Sequence, residues 1–145
     1  MTIFLKAIMR KLFALLFLIF SSQAFANWDK VSSVAAFSND EGNEYYWDLS
    51  TLRQQGHTFK IWTMLDTKSP TDSNFESGKK VQSVRKFIEI DCVEKNQRML
   101  SYVENAGLGG TGATIYSESI TSPWNPFTPH SWTDFLYQKF CRKQK

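Results

Sequence analysis

The chain has 145 residues, with 17 Lys and Arg against 14 Asp and Glu, and it carries twelve Phe, five Tyr and five Trp. That length suits one domain and leaves no room for a multi-domain enzyme, and the aromatic content excludes a coiled coil or a disordered tail. Three of the cations, Lys6, Arg10 and Lys11, lie in the first eleven residues, so the net charge of +3 is not the footprint of a nucleic-acid surface.

Those three cations precede nine unbroken apolar residues, Leu12–Phe20, and then Ser21-Ser22-Gln23-Ala24-Phe25-Ala26. A charged start, a short apolar run and a small-x-small ending are the pattern of a secretory leader, with cleavage expected between Ala26 and Asn27. Nine residues rise roughly 14 Å as a helix, too little to cross a bilayer, so no stable membrane span is expected after cleavage. Met9 is a second candidate start, since Met9-Arg10-Lys11 and the apolar run make a complete leader. Residues 1–26 are therefore set apart from a single domain spanning residues 27–145, in which fourteen basic residues balance fourteen acidic ones. No cysteine stands at the cleavage position, so a lipid anchor is not expected there and the product is expected in the periplasm, or secreted.

Trp28–Phe37, rich in Val, Ala and Phe, reads as a strand, and Ser38–Asn43 as a turn. Glu44–Asp48 makes a short aromatic strand, with Leu49–Gln55 as a helical turn or tight loop ending at Gly56. His57–Asp66 alternates with apolar bulk on both sides, which predicts a central strand covered at least in part on each face. Thr67–Lys80, built mostly of Ser, Thr, Asp, Asn, Gly and Lys with one Pro, reads as a long mobile loop. Val81–Cys92 is a strand with one mostly buried face, and its other face, with Arg85, Glu89 and Asp91, reads as solvated and charged. Lys95-Asn96 turns the chain into a return strand, Gln97–Asn105, and Ala113–Glu118 forms another strand after a glycine-rich bend. Pro123, Pro126 and Pro129 are expected to prevent ladder pairing through Ser122–His130.

The last element is different. Ser131 is an N-cap residue, Asp134 an acidic first-turn residue, and Trp132, Phe135, Leu136 and Phe140 form one apolar helical stripe. Cys92 and Cys141 are the only cysteines, and in an oxidising compartment such a pair reads as one disulfide, two buried free thiols being the alternative. The fold class is thus α+β: a single antiparallel meander of about six strands, one C-terminal helix packed on it, and one disulfide.

Chemistry is sparse. Gly107–Gly112 spells G-x-G-x-x-G, but Ala113–Glu118 reads as strand where a dinucleotide site needs a helix, so a turn or bulge is expected and no cofactor. His57 and His130 lack metal-ligand spacing, and no metal is expected. Ser131 beside His130 has no nucleophile elbow, and four cations near the C-terminus suit a helix end as well as an anion, so no nucleic acid is expected. Of the five tryptophans most are expected in the core, with one or two on a sheet face or in the Pro-rich segment forming a binding platform.

The ordered pieces Tyr45-Tyr46-Trp47-Asp48-Leu49-Ser50, Leu52-Arg53, Lys60-Ile61-Trp62, Ser83-Val84-Arg85, Glu89-Ile90-Asp91-Cys92, Gly109–Gly112, Trp124-Asn125-Pro126, Pro129-His130-Ser131 and Cys141 resemble the surface-adhesin protein E-like family of Gram-negative bacteria. The resemblance covers Trp28 to Cys141, and His130 stands where that family usually has glycine. It implies an antiparallel sheet with a C-terminal helix, a disulfide from Cys92 to Cys141, homodimerisation, and a protein partner, extracellular-matrix or envelope protein. The function expected is an exported, non-enzymatic, protein-binding domain, with Asn74, Phe75, Trp124, Asn125 and Phe127 as candidate contact residues. The alternatives are a small ligand carrier with an apolar cavity under the helix, or a hydrolase using Glu89, Asp91 and a histidine.

Overall fold

The computed structural model describes residues 27–31 and 42–141. The leader with Ala26, the stretch Ser32–Phe37 of the expected first strand and most of the expected turn lie outside them. The strands are β1 (Asp29–Lys30), β2 (Glu44–Gln55), β3 (Thr58–Asp72), β4 (Lys80–Asp91), β5 (Asn96–Asn105), β6 (Thr114–Glu118) and β7 (Asn125–Pro126), and the helix α1 is Trp132–Phe140. β1 to β6 lie side by side in chain order and every pairing is antiparallel. The expected meander with a closing helix and a Cys92–Cys141 bond is therefore what the chain forms.

Three local expectations are overturned. Leu49–Gln55 is strand, not a helical turn or tight loop, with its register against β3 shifted between Asp48 and Arg53. Side chains support the irregularity: Ser50 N–H donates to Asp48 Oδ1, Thr51 Oγ1 donates to the Asp48 carbonyl, and Trp62 N–H donates back to Thr51 Oγ1. Thr67–Lys80 is largely extended too, because β3 runs on to Asp72 and pairs again with β4 at Thr71 and Asp72. Pro70 sits inside the register shift between Asp66 and Thr71, where a missing N–H removes no ladder bond. Only Ser73–Lys79 remains as the connection. Finally, Asn125 and Pro126 do pair, with Gln97 and Asn96 of β5, despite the prolines around them.

The two sheet faces differ. Phe59, Ile61, Ile88 and Ile90 share one face and are buried beneath Leu136 of α1, all five at 6% exposure or less. Trp47 extends this core, with ring centroids 5.9 Å from Phe135 and 5.6 Å from Phe140, and Phe140 lies 5.3 Å from Phe59. The helix starts as its residues require: Ser131 Oγ accepts from Asp134 N–H and the Asp134 carboxylate accepts from His130 N–H. His130 holds a positive φ of 60°, a conformation that glycine enters without cost and a Cβ disfavours. Cys141 closes the helix, its N–H bonded to the Tyr137 carbonyl, with its Cα 5.4 Å from that of Cys92 just past β4.

The glycine-rich segment is a 3-10 turn, Leu108–Gly110, folded over the far end of β3 and β4. Gly109 has φ 66° and donates its N–H to both carboxylate oxygens of Asp66, 3.0 Å each, while Gly110 N–H donates to Ser83 Oγ. Its backbone donors are thus held by the protein itself, as a turn or bulge demands. Asp66 is buried at 5% exposure, and desolvation raises its pKa against the opposing effect of the Gly109 N–H. A carboxyl whose folded pKa exceeds its unfolded one favours the folded state most at acid pH, and that contribution is lost as pH rises through the folded value. Asp66→Asn keeps an acceptor for Gly109 without the charge. Its stability relative to the unsubstituted protein is expected to rise from pH 3 to pH 7 in urea titrations; a fall would mean that the turn stabilises the anion more than burial penalises it.

Candidate functional site

The residues considered for hydrolysis do not form one centre. His57 Nε2 lies 3.3 Å from Asp91 Oδ2 at the β2–β3 turn, which makes a genuine pair. Asp91, however, already accepts from Val93 N–H and Glu94 N–H through Oδ1, so it is the cap of the β4–β5 turn. Glu89 is engaged elsewhere, accepting from Arg98 Nε and Nη2 at 2.6 Å through Oε2, with Lys60 Nζ 3.7 Å from Oε1. His130 is on the loop that leads into α1, its N–H tied to Asp134. Neither pair is joined by a nucleophilic hydroxyl or thiol in the hydrogen bonds among the described residues. In that same set no cluster of three or more His, Cys, Asp or Glu could hold a metal ion, and no helix is long and apolar enough to cross a membrane.

The face that carries Glu89 corrects a further expectation. It is not a solvated charged face: Glu89 is 5% exposed and Asp91 9%. Register places Lys60 opposite Glu89 and Glu89 opposite Arg98, a row across β3, β4 and β5 on the side away from the helix. Arg98 in turn lies under Trp124, its guanidinium carbon 4.3 Å from the ring centroid, a cation–π stack that covers the row. The next row pairs Trp62 with Phe87, stacked at 5.2 Å and both half-buried, and places Ser101 beside Phe87. Among the described residues no helix covers this side. Aromatic planes therefore reach solvent at two adjacent places, over a base of paired charges.

Two of the five tryptophans, not most of them, pack against the core, and Trp28 is half-buried ahead of β1. Trp47 and Trp132 are in the helix-side cluster, Trp62 is on the open face, and Trp124 is 37% exposed in the Pro-rich segment. Asn125 is exposed beside it in β7, whereas Phe127 is half-buried against Tyr137 at 5.4 Å and belongs to the packing under the helix. Asn74 and Phe75 are on the Ser73–Lys79 connection and sit on the helix side of the sheet. Phe75 is 49% exposed yet stacks on Tyr116 at 4.1 Å and meets Tyr102 edge-on at 5.3 Å. Tyr102 donates to Glu104 Oε1, and its own burial, with that carboxylate, pushes its pKa up. The five candidate contact residues thus fall in separate places. Trp62, Phe87 and Arg98 join the open aromatic face instead, and only the strand register could have placed them beside Trp124.

A family model described as surface-adhesin protein E matches residues 28–142. The fold is similar to solved structures of Haemophilus influenzae protein E. The selenomethionine form superposes with a TM-score of 0.56 at 11% identity, covering 81% of this chain and 88% of that one. A second structure of that protein gives 0.53 at 14% identity, covering 68% and 77%. The protein from a non-typeable strain gives 0.53 at 13% identity, covering 80% and 84%. At such identity the likeness is one of fold. No curated protein sequence matches the chain.

Proposed function

The chain belongs to the surface-adhesin protein E family, and from that premise we propose that it is an exported, non-enzymatic domain that binds a protein partner through the sheet face opposite the helix. The leader ending at Ala26 is removed on export in this reading, and the domain starting at Asn27 acts in the periplasm or at the cell surface. The partner class is an envelope or extracellular-matrix protein, and two copies of the domain are free to associate.

The observation that carries the proposal is the pair of aromatic stacks on that face, Trp62 on Phe87 and Trp124 on Arg98. Trp, Tyr and Arg dominate the energetics of protein interfaces, because a planar group buries much area while freezing few torsions. Here the planes are already fixed by neighbours, and the charges beneath them are already paired, so docking leaves no carboxylate orphaned. The separate engagement of Glu89 by Arg98 and of Asp91 by its own turn supports a binding role over hydrolysis.

The test is binding of the purified oxidised protein to envelope extract and to immobilised matrix proteins, with Trp124→Ala as the diagnostic variant. Trp124 is surface-exposed, so the variant is expected to fold normally and to bind at least tenfold more weakly, the scale of an interface hot spot of about 2 kcal/mol. A partner retained equally well by Trp124→Ala and by Trp62→Ser would refute this face as the binding surface. Retention of nothing, even after crosslinking, would refute the function.

A further inference from the structure

We propose that a cleft on the helix side of the sheet binds an organic carboxylate carrying an apolar body, with Lys86 as the group that pairs with it. The cleft has a volume of about 300 Å³ and lies between the start of α1 and the middle of the sheet, away from the Trp62–Trp124 face. Its walls mix apolar and polar groups: Leu65 and Val84, cross-strand partners, form one side, Tyr45 and Trp132, with ring centroids 5.1 Å apart, form another, and hydroxyls and an amide, Thr63 and Gln97 among them, line the rest. Among the described residues Lys86 is the one charged side chain that lines it.

Lys86 makes no ion pair among the described residues. Its ammonium rests 5.7 Å from the centroid of Tyr102, its partner across β5. Glu104, two residues along β5 on the same face, is 1% exposed and commits both carboxylate oxygens, to the hydroxyls of Tyr102 and Ser73. Lys30, Lys60, Lys80 and Arg98 each have a carboxylate partner, whereas Arg53 and Arg85 bond neutral oxygens and Lys95, like Lys86, rests against a tyrosine ring. Lys86 remains reachable by solvent, yet its surroundings are close enough that desolvation lowers its pKa. A carboxylate in the cleft supplies the counter-charge that Lys86 lacks, as a charge-assisted pairing.

The volume sits at the small end of ligand sites, so the apolar body is a short acyl chain or one or two side chains. The carboxylate has two sources, a free monocarboxylate or an acidic residue of a polypeptide flanked by aliphatic ones. Both present the same chemistry to Lys86, and separate arms of one experiment distinguish them.

The experiment titrates the purified oxidised protein with sodium octanoate in one arm and with acetyl-Leu-Glu-Leu-amide in the other, to about 10 mM. Octanamide and the Gln peptide serve as neutral controls. Binding is read by calorimetry and by the NMR shift of the Lys86 Cε methylene, which needs no variant. Saturable binding of either acid is expected to move the Lys86 signal. It is expected to be at least tenfold weaker for the neutral control and for Lys86→Met, as loss of a charge-assisted contact implies. Whichever acid binds names the source. Failure of both acids to bind, equal binding of acid and neutral control, or binding that leaves the Lys86 signal unmoved overturns the proposal. None of these outcomes bears on Trp124, so the two surfaces stand or fall separately.

Discussion

Replacing Cys92 with Ser is expected to lower the unfolding free energy by about 4 kcal/mol, a large share of the 5–15 kcal/mol typical of a domain. The bond joins positions 49 apart in the chain, so without it the unfolded state regains the freedom of a long loop. The folded state loses a constraint as well. α1 has nine residues, too few to hold helical structure in water without tertiary support, and Cys141 is its final cap. The measurement is a pair of thermal melts with and without reductant. The reduced protein should melt well below the oxidised one and close to Cys92→Ser. Coincident oxidised and reduced melts would show that the helix docks without its tether.

Leu136→Ala is expected to cost about 2–5 kcal/mol, because Leu136 is fully buried between four sheet residues that cannot collapse into the gap. It is the one apolar helix residue with no exposure at all. Urea unfolding checks the size of the effect, and a double-mutant cycle with Cys92→Ser checks its origin. In the Cys92→Ser background the cost should shrink, since a helix that already departs loses less when its anchor is cut back. Additive costs would mean that packing alone keeps α1 in place.

The core strands and the helix were readable because burial leaves a period in the residues. Alternation marks Phe59–Leu65 and Val81–Cys92, and the stripe Trp132, Phe135, Leu136, Phe140 behind Ser131 marks the helix. The two strands that were missed carry no such period. Lys68–Asp72 is exposed throughout, so its extended state comes from pairing with β4 and not from a buried face. Leu49–Gln55 is polar and irregular, and Asp48 and Thr51 hold it in place by two local bonds and one across to Trp62 of β3, which no periodicity announces. The cysteine pairing needed only two cysteines and an oxidising compartment. The proposed binding face is harder: Trp124 is conspicuous as a Trp in a Pro-rich stretch, but Arg98 beneath it and the Trp62–Phe87 stack beside it emerge only once register is known. Lys86 likewise reads as one more surface lysine until the cleft around it is seen.

The bond between Cys92 and Cys141 also sets how the domain bears load. A pull on the C-terminal end reaches Cys141 and passes through sulfur straight to the end of β4, a strand flanked on both sides by partners. The intervening chain, with β5, β6, β7 and α1, is bypassed by that route and cannot unspool under tension. The separation of 49 positions would otherwise lengthen to roughly 160–175 Å when drawn straight. This shortens the elastic slack to the segment on the N-terminal side of β4 and concentrates resistance in the middle of the sheet.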